Sequence, residues 1–96
     1  LERMRSASPA DETLQINIAT INEEFGYASL ALARRHSGSS QAHRAHILTA
    51  RSYFEKSIET FRRFRDDGKL VGIQAKKVER LEKEIAECDV LLSKAP

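Results

Sequence analysis

All three histidines of the chain lie in one short segment, RRHSGSSQAHRAH, which runs from Arg34 to His46. Imidazole nitrogens and a cysteine thiolate are ligands that zinc prefers in four-coordinate sites. His43 and His46 have the i, i+3 spacing that places two ligands on one face of a helix, and the single cysteine, Cys88, could supply a further ligand. The residue types therefore permit a metal site formed by His36, His43, His46 and Cys88.

A structural role is the stronger interpretation of the same side chains. A histidine at a helix C-terminus, such as His36, interacts favourably with the helix dipole, and a lone cysteine is commonly a small buried apolar residue. Nothing recognisable in the sequence supplies the oxyanion hole or pocket that a catalytic Cys88 would need. We therefore predict a protein that is not an enzyme and has no cofactor, and we keep a structural zinc ion as the alternative.

Composition predicts one small domain. The 96 residues are 41% hydrophobic and 31% charged, which suits a single core. Sixteen Lys and Arg against 14 Asp and Glu give a formal net charge of +2, too small to indicate nucleic acid or a membrane surface as the partner. One cysteine cannot form an intramolecular disulfide, and no apolar run could cross a bilayer, so we expect a soluble, cytoplasmic protein. Because the chain begins with Leu1, we expect a part of a longer protein.

Two glycine-containing turns divide the chain into three long segments. RHSGSS surrounds Gly38 and RDDGKL surrounds Gly68. Ser8 could cap the first helix, and Ser39 or Ser40 could cap the second. The sequence predicts a flexible segment over 1–8 and one domain over 9–96, with helices at about 9–36, 40–67 and 69–94. Since short connections favour antiparallel neighbours, the predicted fold is an all-α, up-down-up three-helix bundle.

Each segment has apolar residues at alternating spacings of three and four, the pattern of a packed helix face. In the first helix they are Leu14, Ile18, Ile21, Phe25, Ala28 and Leu32. In the second they are Ile47, Ala50, Phe54, Ser57, Phe61 and Phe64, and in the third Val71, Gln74, Val78, Leu81, Ile85, Cys88 and Leu92. We predict that these three stripes face the core.

The opposite side of the first helix is the predicted partner-binding surface. Ile16, Tyr27 and Leu30 lie away from the apolar stripe and should be exposed in a bare bundle. Gly26 belongs to a row of small residues, Ala19, Asn22, Gly26, Ser29 and Ala33. Glycine in the middle of a helix costs about 1 kcal/mol relative to alanine. Gly26 therefore indicates either the close approach of another helix of the bundle or a shallow groove for a partner's helix.

Basic residues cluster near the second turn. They are Arg62, Arg63, Arg65, Lys69, Lys76, Lys77 and Arg80. Such a cluster could contact phosphates, but Asp66 and Asp67 interrupt it and the neighbouring phenylalanines belong to the core stripe. A phosphate-contacting or nucleic-acid-contacting module is therefore a further alternative and not the preferred interpretation.

Two stretches resemble known helical domains. ARSYFEKSIETF is similar to the second helix of a tetratricopeptide-type hairpin, since Ala50, Phe54 and Ser57 match its small, aromatic, small pattern. QAKKVERLEKEI, following a helical hairpin, resembles the microtubule-interacting and trafficking domain. Both resemblances imply binding of another peptide or helix and not catalysis. We therefore predict a protein–protein interaction or oligomerisation module whose partner is another helix or a second copy.

Overall fold

A computed structural model describes residues 9–70 and 72–94. Its elements are α1 (Pro9–Arg35), α2 (Ser40–Asp66), a short 3-10 helix (Gly72–Lys76) and α3 (Lys77–Lys94). This part of the chain contains no strand, so the all-α prediction is confirmed. The predicted flexible segment 1–8, with the Ser8 cap, and Val71 of the third stripe lie outside the described residues.

The direction of the helices follows from contacts between their ends. Arg63 of α2 donates to the Gln15 side chain at 2.7 Å near the start of α1, and His43 near the start of α2 lies against the Ala33 carbonyl near the end of α1. These pairs make α1 and α2 antiparallel.

The second and third helices are also antiparallel. Arg62 near the end of α2 pairs with Glu82 in the first half of α3, while Arg51 in the first half of α2 pairs with Asp89 near the end of α3. The bundle is a rod of 52 × 20 × 20 Å with the predicted up-down-up order.

The first two helices begin and end within one residue of the predicted bounds. Ser39 is extended (φ −124°, ψ 105°) and its hydroxyl accepts from the Ala42 N–H, as an N-cap residue does. Gly68 has φ +73°, the left-handed conformation expected just beyond the end of α2. The third α-helix starts at Lys77 and not at 69, because Gly72 also takes a positive φ of 61° and the chain forms a 3-10 turn there first.

The core is centred on α2. All six residues of its predicted stripe are buried, and Phe54 and Phe61 are among the largest side chains with no solvent exposure. Val78, Leu81 and Cys88 of α3 pack against them. None of the described helices combines the length and apolar content needed to cross a membrane.

The first helix packs on a different face from the predicted one. The row of small residues is the buried face, with Ala19 1% and Ala33 2% exposed, and Leu30 joins it at 4%. The stripe from Leu14 to Leu32, predicted to lie in the core, is exposed. The prediction failed because α1 has two apolar faces, and the face of small residues is the one that lets α2 approach closely.

Candidate functional site

The most unusual surface of the bundle is the outer face of α1. It carries the residues that we call the α1 stripe: Leu14, Ile18, Ile21, Phe25, Ala28 and Leu32. Its five large side chains are between 41% and 56% exposed. Single exposed apolar residues are ordinary, whereas a continuous apolar patch along a whole helix is typical of a surface that another molecule covers.

The α1 stripe is exposed because the opposite face of the helix already fills the space against α2. A Cβ built on Gly26 would lie 2.5 Å from Cε1 of Phe54, so the backbone of α1 rests directly on that ring. Ser57 of α2 donates its hydroxyl to the Ala19 carbonyl at 2.7 Å. These contacts fix the rotation of α1 about its axis and leave most of the stripe exposed to solvent.

An aromatic contact extends the α1 stripe onto α2. The rings of Phe25 and Tyr53 have centroids 5.3 Å apart at an interplanar angle of 47°. Lys56 lies over the Tyr53 ring, with Nζ 5.5 Å from the centroid. The apolar surface is therefore widest near the middle of α1, and its edge on α2 is positively charged.

The borders of the α1 stripe carry little charge. The residues beside it are Gln15, Asn17, Asn22, Glu24, Ser29 and Ala31. Only Glu24 among them has an acidic or basic side chain. The two positions that continue the spacing beyond the stripe are Asp11 at one end and Arg35 at the other, and both are exposed. The surface is thus apolar along its length, with opposite charges at its two ends.

Three of the four predicted partner-binding residues, Ile16, Gly26 and Leu30, lie on the inner side of α1, whereas Tyr27 is exposed as expected. Leu30 is buried, so the expectation that it is exposed is wrong. Ile16 is partly buried against the core, and Gly26 lies under Phe54. The close approach of another helix of the bundle, one of the two explanations considered for Gly26, is the one that applies.

Tyr27 connects α1 to α3. Its hydroxyl donates to the Glu84 carboxylate at 3.0 Å, and its ring packs edge-on against Phe54 with centroids 5.2 Å apart. Burial, followed by the bond to Glu84, raises the pKa of Tyr27 to about 12. This tyrosine therefore holds the bundle together, even though 37% of its surface is exposed.

A buried carboxylate that the sequence analysis did not single out lies between α1 and α3. Glu23 is 3% exposed, and Lys77 Nζ contacts its Oε1 at 2.6 Å. Arg80 approaches Oε2 at 3.6 Å, beyond hydrogen-bonding distance, and Oε2 has no hydrogen-bond partner. In the sequence, Glu23 lies on the same side of α1 as Ile16 and Leu30. A carboxylate buried on that side requires a partner of opposite charge, and this requirement could have identified the pair.

The histidines and the cysteine do not converge. His36 and His46 stack with ring centroids 5.2 Å apart. His43 donates its Nδ1–H to the Ala33 carbonyl at 2.8 Å, which occupies that nitrogen. Cys88 is fully buried in the core, and this burial raises the pKa of its thiol to about 11. No three His, Cys, Asp or Glu residues within the described ranges are grouped to hold a metal ion.

Most of the basic residues near the second turn are paired with acidic or polar side chains of the same chain. Arg62 pairs with Glu82, and Lys77 with Glu23. Lys69 pairs with Glu12. A phosphate would have to compete with these partners, so the arrangement does not favour a phosphate-binding surface.

An open groove on α2 holds the two glutamates that a general acid–base pair would need. Glu55 and Glu59 line it together with Arg62, Arg63 and Ile85. Glu55 is exposed and bound to Arg51 at 2.6 Å. The groove is open and its lining carries both signs of charge, so it lacks the enclosed pocket in which a substrate would be held.

The comparisons with known proteins give no further constraint, since no protein-family model, no curated protein and no solved structure matches the chain. The resemblance to tetratricopeptide-type and microtubule-interacting and trafficking domains stays a prediction.

Proposed function

We propose that the protein is a non-enzymatic interaction module that binds a helix of another polypeptide along the α1 stripe. One observation carries this proposal: five large apolar side chains lie in a row on α1, each between 41% and 56% exposed. Burying such side chains contributes about 25 cal/mol for each Å² of apolar surface removed from water. An amphipathic helix laid along α1 would cover the whole row, as in helix-in-groove recognition.

The shape of the stripe favours a helix over other ligands. A narrow apolar row without a cavity offers little to a small molecule, which requires a concave site. An extended strand would need an unpaired sheet edge, and α1 has no unpaired backbone groups along its length because it is helical from Pro9 to Arg35.

The proposal places the protein in the cytoplasm. The single cysteine is a free, buried thiol. A reducing compartment suits a chain whose packing does not depend on disulfides.

Site-specific photo-cross-linking in the cells that make the protein tests the proposal. Ile21, in the middle of the α1 stripe, is replaced by p-benzoylphenylalanine, and Glu87, exposed on α3, is replaced in the matched control. We expect an adduct of defined mass from position 21 and none from position 87. The adduct should disappear when Ile18 and Phe25 are changed to serine.

Equal cross-linking at both positions would overturn the proposal, as would an adduct that survives the serine changes. Because Ile18 and Phe25 are about half exposed, the serine variant should keep its fold, and its circular dichroism spectrum checks this. Mass spectrometry of the adduct identifies the second polypeptide.

A further inference from the structure

We infer that the helix bound on the α1 stripe is α1 of a second copy of this chain, packed antiparallel about a two-fold axis beside the middle of the helix. This inference rests on the proposed function, because both use the same surface. It adds the identity of the bound helix and its orientation.

The spacing of the α1 stripe is the same in both directions. From Leu14 to Leu32 the residues follow at intervals of four, three, four, three and four, so an antiparallel copy meets the stripe layer by layer. The facing pairs are Leu14 with Leu32, Ile18 with Ala28, and Ile21 with Phe25 of the second copy, each occurring twice.

The charges at the ends of the stripe select the antiparallel orientation. Asp11 and Arg35 each lie three residues beyond the stripe, so the same register places Asp11 of one copy opposite Arg35 of the other at both ends. A parallel pair would instead put two Asp11 carboxylates together at one end and two Arg35 guanidiniums at the other. Opposite charges across an interface favour the first arrangement and disfavour the second.

The surface available is sufficient for a dimer. Side chains of this size that are about half exposed offer on the order of 100 Å² each, so the α1 stripe supplies roughly 500 Å² per copy and about 1,000 Å² per dimer. Specific interfaces bury about 1,200 Å² or more in total. The exposed border residues Asn17, Glu24 and Ala31, together with Tyr53, which contacts Phe25, supply the remainder.

One feature of the border opposes this pairing and therefore makes it testable. In the antiparallel register Glu24 lies beside Glu24 of the second copy near the two-fold axis, and like charges at that distance are destabilising. In a parallel pair the two Glu24 side chains would lie on opposite sides of the interface. Removing the charge of Glu24 therefore strengthens the antiparallel dimer only.

Sedimentation equilibrium of the purified full chain, from micromolar to submillimolar concentration, tests the inference. We expect a monomer–dimer equilibrium that weakens about 100-fold or more in the Ile18→Ser, Phe25→Ser variant, since each change removes one anchor from both copies and costs at least roughly tenfold. Val90→Ser is the matched control, because Val90 is 44% exposed but lies on α3, and it should leave the dimer unchanged.

A charge exchange tests the orientation. Asp11→Arg and Arg35→Asp should each weaken the dimer about three- to tenfold, and the double variant should restore it. Glu24→Gln should strengthen the dimer. A dimer that loses affinity in the serine variant but shows neither the rescue nor the effect of Glu24→Gln would overturn the antiparallel register.

The two proposals fail in different ways. A chain that stays monomeric at submillimolar concentration, or a dimer that the serine changes leave intact, overturns the inference of a second copy. If a different protein is then cross-linked at position 21, the proposed function stands and its partner is that protein. If position 21 also gives no specific adduct, both proposals are wrong.

Discussion

The backbone of Gly26 in α1 rests on the ring of Phe54 in α2, so closely that a Cβ at position 26 would lie 2.5 Å from Cε1 and 2.7 Å from Cδ1. Phe54 is fully buried and its ring also contacts Tyr27, so it has little freedom to move. This contact sets the distance between the two helices and determines which face of α1 is left outside.

We predict that Gly26→Ala destabilises the protein. In an exposed helix interior the same change would stabilise by about 1 kcal/mol. Here the added methyl group forces the Phe54 ring or the helix to shift, and overpacking of this kind costs about 1–3 kcal/mol. The free energy of unfolding in urea, at a fixed protein concentration, should therefore fall. Gly38→Ala is the control, because nothing lies within 4 Å of a Cβ at Gly38. A gain in stability at position 26 would contradict the contact.

A second prediction concerns the buried ion pair of Glu23 and Lys77. Lys77→Met leaves the Glu23 carboxylate buried beside Arg80, which lies 3.6 Å away. Removing one partner of a buried pair costs about 3–5 kcal/mol, and we expect the lower end because Arg80 remains. Thermal or urea unfolding measures the loss.

The double variant Glu23→Leu, Lys77→Met should recover most of that stability, because it removes both charges and keeps apolar volume. Lys83→Met, at an exposed position of the same helix, should change the free energy of unfolding little. If Lys77→Met and Lys83→Met both lowered the free energy of unfolding only slightly, the Lys77 side chain would not be needed to stabilise the buried Glu23 carboxylate.

The sequence predicted α2 well because that helix has a single apolar face. Its phenylalanines and isoleucines all point to one side, and the structure buries them. In α1 the same periodicity occurs twice, as a stripe of large residues and a row of small ones. Spacing shows which residues share a face of a helix but not which face packs against the rest of the bundle. The larger side chains of α1 therefore predict a core position that the structure does not give them. Gly26 was the useful signal, since a mid-helix glycine is best explained by a close approach.

The residues of the proposed site therefore form a recognisable stripe in the sequence, but the sequence alone predicts that they pack in the core. The α1 stripe was recognised as a packed face, and only the contacts with Phe54 and Ser57 show that α2 takes the other side of the helix. The start of α3 was missed for a local reason, because the positive φ of Gly72 interrupts a run of residues that otherwise suits a helix.

A third prediction is that Cys88 reacts slowly with iodoacetamide while the protein is folded. The thiolate is the reactive form, and burial raises the pKa of this thiol to about 11 from an ordinary value of 9.0. The side chain has no solvent exposure, so reagent access also requires local unfolding. Mass spectrometry follows the alkylation.

The control for Cys88 is an exposed cysteine on the same helix. Ser93→Cys in a Cys88→Ala background should be alkylated at a rate close to that of the unfolded chain. Both proteins should react equally fast in guanidinium chloride. Rapid alkylation of Cys88 without denaturant would mean that α3 is not packed as described.

The last prediction concerns stability at alkaline pH and Tyr27. Burial and the bond to Glu84 raise its pKa in the folded protein to about 12, above the value of 10.0 expected when the chain is unfolded. The folded state therefore holds this proton more tightly, and its contribution to the free energy of unfolding is complete below about pH 10 and lost as the pH rises toward 12. Tyr27→Phe should be less stable near neutral pH, because it loses the hydrogen bond, and its stability should fall less steeply over this range.

Urea unfolding at several pH values measures the difference, with Cys88→Ala in both proteins because Cys88 also titrates at alkaline pH. Equal slopes in the two proteins would show that the Tyr27 hydroxyl is not held by Glu84.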